Sequence, residues 1–264
     1  MPTSLLYHEP LLVITLVLLA LLTLADEAGY RLGARERRPP SDAVRAQVGT
    51  IQGALLALFA LILGFTFSMA VARYDLRKQA VVREANAIGT AFLRVGLLPA
   101  GDRERATDLF RRYVNVRVNA TTRSTTDTPE QLKLEAEAGR LQTSLWDLAT
   151  AAAEADARSV PAGLFVQGLN DMIDSMGEQD AARYNTVPET VILLLFGFAV
   201  LAIGVVGFGN GLVGSRSLGA TGVLVTLIVM VIILIMDLDR PGRGLIRVSQ
   251  VSLHKLEQTV GARP

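Results

Sequence analysis

The sequence contains no cysteine, which excludes disulfides and thiolate metal sites and leaves the redox compartment unmarked. Histidine is limited to His8 and His254, each near a terminus and remote from any acidic cluster. Neither a histidine-held metal nor a Ser-His-Asp triad is therefore expected. An excess of charge of one sign is also missing: Lys and Arg number 26 against 25 Asp and Glu, for a net charge of +1. With no clustered positive charge to neutralise phosphates, a nucleic acid partner is not expected. The motifs HExxH, GxSxG and the phosphate-binding GxxxxGK(S/T) do not occur. The pattern thus points to no enzyme and to no cofactor. Runs of period two are absent as well, which leaves an all-α chain.

What is present is apolar residue in blocks. Pro10 to Ala25, Ala46 to Ala72, Thr190 to Ser215 and Ser217 to Met236 carry no charged side chain. The last three reach the ~20 residues that a spanning helix needs. The first is shorter and resembles a signal peptide in place and length, but Met1 to Glu9 lacks Lys and Arg, so a retained first span is expected. The reading is a four-span transmembrane helical bundle with a helical extramembrane domain between spans 2 and 3. Its segments are 1–72 (spans 1 and 2 with a basic loop), 73–187 (the helical domain), 188–236 (spans 3 and 4) and 237–264 (a C-terminal extramembrane segment). No charge occupies the centre of a span, which disfavours proton relays and coupled transporters, whose ionisable groups sit there.

Orientation follows from basic residues. The loop from Asp26 to Arg45 carries Arg31, Arg35, Arg37, Arg38 and Arg45, and the positive-inside rule, weighted on the first span, makes that loop cytoplasmic and turns the domain outward. Arg73, Arg77, Lys78 and Arg83 after span 2, and Arg240, Arg243 and Arg247 after span 4, pull the other way.

The second block continues past Arg73 with no Pro and no helix-ending Gly, which predicts one helix from Ala46 to Leu98 that leaves the membrane and runs on into water. Beyond Arg73, Val81, Ala85, Ile88, Phe92 and Val95 form a stripe at helical spacing. Asp102 is a candidate N-cap for a helix bearing Leu109, Tyr113 and Val116. A polar connector, Thr121 to Thr128, precedes Thr128-Pro129-Glu130-Gln131, which combines a capping box with Pro at the first helical position. The helix that follows carries Leu134, Ala138, Leu141, Leu145, Leu148 and Ala152, a stripe suited to the seam of the long helix. Pro161 interrupts the pattern. Phe165, Leu169, Met172 and Met176 then recur on a last soluble helix, where the methionines read as core filling.

Gly209, Gly211 and Gly214 match GxGxxG, but a membrane helix stands where a dinucleotide fingerprint needs a strand. A flexible turn between spans 3 and 4 is the better reading, with Gly197, Gly204, Gly207, Gly219 and Gly222 as close-contact positions in lipid. The charges that stand out lie beyond span ends: Arg73, Asp75 and Arg77, Glu189, and Asp237, Asp239 and Arg240. They suit interfacial anchoring, or a charged mouth if several copies form a ring. Ala57, Leu61 and Phe65 share one face of the second span, a face that can pack in lipid or line a pore that gates by dewetting.

ILGFTFSMAVARYD, Ile62 to Asp75, resembles the bestrophin ion channels, in which a Gly-Phe pair is followed eight residues later by Arg and an aromatic; here Phe65 precedes Arg73 and Tyr74. ARYNTVPETV, Ala182 to Val191, is similar to the lead into that family's third span, and DLDRPGRG, Asp237 to Gly244, to the exit from its fourth. EANAIGTAFLR, Glu84 to Arg94, and DLDRPGRGLIRVSQ, Asp237 to Gln250, resemble more nearly the bacterial bestrophin-like membrane proteins of unassigned function. The resemblance implies a homopentamer in a bacterial inner membrane, passing small inorganic ions along five copies of the second span. Its neck would be Ala57, Leu61 and Phe65, and its mouth charges Arg73, Asp75, Glu189, Asp237, Asp239 and Arg240. The acidic calcium-binding run of animal members is reduced here to Asp237 and Asp239 beside Arg240, so no metal is expected. The resemblance also implies a cytoplasmic domain, against the first-span charge rule. Beside membrane lipid and ions, the partner expected is the chain itself. A non-conducting scaffold that binds a partner through the helical domain is the alternative.

Overall fold

The computed structural model describes residues 9–36, 40–122, 128–240 and 244–262. Regular structure among them is entirely helical: α1 (Leu11–Ala34), α2 (Asp42–Val95), α3 (Ala100–Thr122), α4 (Pro129–Ala155), α5 (Val160–Tyr184), α6 (Glu189–Val213), α7 (Leu218–Asp239) and α8 (Val251–Ala262). Stretches in α1, α2, α6 and α7 are long and apolar enough to cross a membrane, and the chain is a membrane protein. It divides into two compact units, Met1–Ala72 with Thr186–Arg240, and Arg73–Asn185 with Pro241–Pro264.

In the first unit α1 continues to Ala34, so much of the expected loop from Asp26 to Arg45 is helical. An i,i+4 ion pair, Arg31 Nε to Glu27 Oε1 at 2.6 Å, suits those residues to a helix. Arg37 and Arg38 lie outside the described residues. The expected turn at Gly209 to Gly214 is also corrected: α6 runs through Gly209 and Gly211 to Val213. Near hydrocarbon, a helix that stays wound keeps its own amides bonded, which offsets the cost of glycine. The chain reverses at Gly214, whose φ of 70° is left-handed and whose N–H donates to the Gly211 carbonyl at 3.1 Å.

Glycines bring α1 and α6 together backbone to backbone. A Cβ at Gly29 would stand 2.0 Å from the Gly204 carbonyl oxygen, one at Gly207 2.2 Å from that of Asp26, and one at Gly211 2.3 Å from that of Tyr30. Of the contact glycines expected from sequence, Gly207 is one, and Gly204 is in ordinary contact with Ala25. Gly197, Gly219 and Gly222 meet nothing within 4 Å and take no part in such packing.

In the second unit the stripe Val81, Ala85, Ile88, Phe92 and Val95 is buried in a core shared with α3, α4, α5 and α8. Phe92 meets Phe110 edge to face at 5.7 Å. Helix α4, expected against the α2 stripe, packs directly on α3 and α5 while sharing that core. Its start is the capped one: Thr128 Oγ1 accepts the Gln131 N–H at 3.2 Å. The Gln131 side-chain amide donates onward to Glu135 Oε1 at 3.0 Å. Ser159 caps α5 in the same way, with Pro161 in the first turn. Helix α3 begins at Ala100, which places Asp102 in its first turn rather than at the cap. Phe165, Leu169 and Met172 are fully buried, as core methionine and its neighbours should be. Residues 123–127, most of the expected connector, lie outside the described residues.

An added methyl at Gly207 or Gly211 must push two helix backbones apart, a change that costs about 1–3 kcal/mol in packed interiors. Gly207→Ala and Gly211→Ala are expected to lower the thermal midpoint of the detergent-solubilised protein, with Gly197→Ala unchanged as control.

Candidate functional site

The candidate site is built on α2, a single helix of 54 residues. Within the membrane unit Phe59, Thr66 and Ala70 are buried on one side. At ~3.6 residues per turn, Ala57, Leu61 and Phe65 stand on the other side. Leu61 is 54% exposed and Phe65 66%, and Ala57 is exposed as well.

The mouth charges of the same unit are tied into the fold. Asp237, Asp239 and Arg240 are all buried, and Glu189, in the first turn of α6, is half-buried. Asp239 Oδ2 accepts the backbone N–H of Val187 at 2.7 Å, just before Pro188. Arg240 Nη1 donates to the Glu9 carbonyl at 2.7 Å. The end of α7 therefore holds both the segment before α1, through Arg240, and the lead into α6, through Asp239. At the turn after α6, Arg216 pairs with Glu27 and lies over the Tyr30 ring, 4.0 Å from its centroid. This group fastens α1 to the α6–α7 turn. Among the described residues, no three His, Cys, Asp or Glu side chains stand close enough to hold a metal ion.

In the second unit, Asp75 is exposed, Arg73 is half-buried and Arg77 is buried. A shallow groove of about 400 Å³ is lined by Leu76, Arg83, Glu178, Ala181, Ala182 and Asn185, with Arg83 and Glu178 paired at 3.1 Å.

A buried ion pair in this unit escaped the sequence reading. Arg117 Nε on α3 donates to Glu84 Oε1 on α2 at 2.5 Å, with 2% and 0% of the side chains exposed, and Arg117 Nη2 reaches the Gln179 side chain on α5. Beside it the Tyr113 hydroxyl accepts from Gln142 at 3.0 Å. Burial raises the Glu84 carboxyl above its ordinary value of 4.5, with Arg117 opposing, and burial raises Asp180 likewise. Arg117 remains a cation: burial pulls it down, and Glu84 more than offsets that pull. A signal for this pair existed. Glu84 falls between Val81 and Ile88, and Arg117 a turn beyond Tyr113, so each charge lies on its helix's apolar face.

A family profile described as a Bestrophin-like domain matches residues 15–253. No curated protein matches the chain at a significant level. Among solved structures, a tryptophan-to-alanine variant of a bacterial Bestrophin homolog from Klebsiella pneumoniae superposes with a TM-score of 0.67 at 16% identity, covering 96% of this chain and 97% of that one. A second structure of the Klebsiella pneumoniae homolog gives 0.66 at 16% identity, covering 97% of this chain and all, 100%, of that one. At that identity the likeness is one of fold.

The raised carboxyls carry a sign. A folded unit that binds the Glu84 and Asp180 protons more tightly than the unfolded chain is favoured most below the unfolded value. That contribution is lost as pH rises through the folded value. Glu84→Gln copies the protonated carboxyl and is expected to match the parent most nearly at and below pH 4.5. Towards neutrality, where the parent must ionise a buried carboxyl, the variant should gain on it in stability. Thermal melts across that range test this, and parallel curves for parent and variant would contradict it.

Proposed function

This chain belongs to the Bestrophin-like domain family, and from that premise we propose that it is an oligomeric ion channel of the bacterial inner membrane, passing small inorganic ions through a pore walled by α2. The observation that carries the reading is the exposed run of Ala57, Leu61 and Phe65 opposite the buried Phe59, Thr66 and Ala70. Around a symmetry axis such a face becomes the wall of a conduit. Five copies is the number that the bestrophin resemblance implies. Leu61 and Phe65 supply two bulky apolar rings that can gate by dewetting, and the small Ala57 leaves the third position wide. Spans without a central charge suit passive flow rather than a coupled or catalysed process. Of the charges at the span ends, Asp75 is the exposed one and is assigned to the mouth, with Arg73 and Glu189 half-buried beside the span ends, while Asp237, Asp239 and Arg240 are buried in the fold.

Purified protein in planar bilayers is expected to give unitary currents, and Phe65→Ala, which opens one ring, to raise their amplitude severalfold. Absence of current at every voltage, with no change in Phe65→Ala, would leave a non-conducting scaffold as the better description. A monomeric or dimeric mass in detergent would point the same way.

A further inference from the structure

Resting on the pore reading above, we infer that Asp75 makes this protein pass cations in preference to anions. The inference comes from one face of α2. Asp75 follows Ala57 by about five turns of ~3.6 residues, which returns it to the azimuth of Ala57. Between them Leu61, Phe65, Ser68 and Ala72 occupy the same stripe, and every one of these residues is exposed. The stripe changes from apolar to polar along its length: Ser68 follows Phe65, and Gln79 and Asn86 follow Asp75, both exposed. The change falls where the helix passes Arg73, so the same stripe offers an apolar wall in the membrane and a carboxylate just beyond it.

Asp75 is the acidic side chain that stands on the stripe. Arg73 and Arg77 turn away from it, half-buried and buried. Arg83 returns to the azimuth of Phe65 about five turns on, and its charge is offset by Glu178 at 3.1 Å. Lys78 is exposed, but three residues along a helix place it ~60° from Asp75. Asp237 and Asp239, which look equally suited to a mouth in the sequence, are buried. Asp75 also lies ten residues beyond Phe65, about 15 Å along the axis, in the polar part of the stripe. Repeated around an axis, Asp75 becomes a ring of carboxylates that concentrates cations and repels anions at the exit of the apolar neck.

The test is the reversal potential in a potassium chloride gradient across a planar bilayer. The parent is expected to reverse on the potassium side. Asp75→Glu should keep that value, and Asp75→Asn should move it towards zero with current retained. Because the chain has no cysteine, Asp75→Cys carries the only thiol and can be charged after assembly. A sulfonatoethyl thiosulfonate reagent is expected to restore cation preference, and a trimethylammonium one to move reversal to the chloride side. Charge is then switched on protein that is already folded and conducting, so a folding defect cannot imitate the result. Parent current that reverses on the chloride side would overturn the inference, as would reversal indifferent to Asp75→Asn and to both reagents. Those outcomes leave the pore standing. Absence of current from the parent would instead overturn the pore reading on which the inference rests.

Discussion

In hydrocarbon every peptide N–H and C=O must find a partner inside the protein, and a helix finds it within its own chain. α2 meets that condition and then keeps it for 54 residues, from Asp42 to Val95, although the side chains change character at Arg73. Nothing in the backbone needs to change there, since the hydrogen bonds that serve in lipid serve equally in water. One element can therefore bury Phe59, Thr66 and Ala70 in the membrane unit and Val81, Ile88 and Phe92 in the water-facing core. It also leaves the stripe from Ala57 to Asp75 uncovered by the rest of the chain.

The two units are held by different physics. Between α1 and α6 there is no hydrophobic force to exploit, because lipid tails are as apolar as leucine, so stability comes from close approach. Gly29, Gly207 and Gly211 bring carbonyl oxygens to positions that a methyl group would occupy. In the second unit water drives burial, and large side chains such as Phe110, Tyr113 and Phe165 fill the centre. That core also holds Glu84 and Arg117. Mutual attraction and Gln179 offset part of their desolvation, an arrangement that favours one pairing of α2, α3 and α5 over slipped alternatives.

Much of this was legible in the chain. The spans followed from charge-free length, the continuity of α2 from the lack of a helix breaker at Arg73, and the start of α4 from Thr128 and Pro129. Other features misled. The charges of Glu27 and Arg31 read as loop, yet they form an i,i+4 pair that suits a helix. Gly209 and Gly211 read as turn, yet both lie in α6, where Gly211 packs against α1 and Gly209 faces Val48 and Gln52 of α2. Asp237, Asp239 and Arg240 read as a solvated run beside Pro and Gly. Their burial depends on Val187 and Glu9, residues 52 and 231 positions away in the chain.

Sequence alone determined the all-helical class, the number of apolar blocks and the faces of the long helix, because length, hydropathy and period are local properties of a chain. Tertiary structure alone decided which charges are spent inside the protein and which remain exposed. Burial is set by the helix that lies alongside, so Glu84 and Asp239 are enclosed by partners far off in sequence while Asp75, equally acidic, is left open on α2.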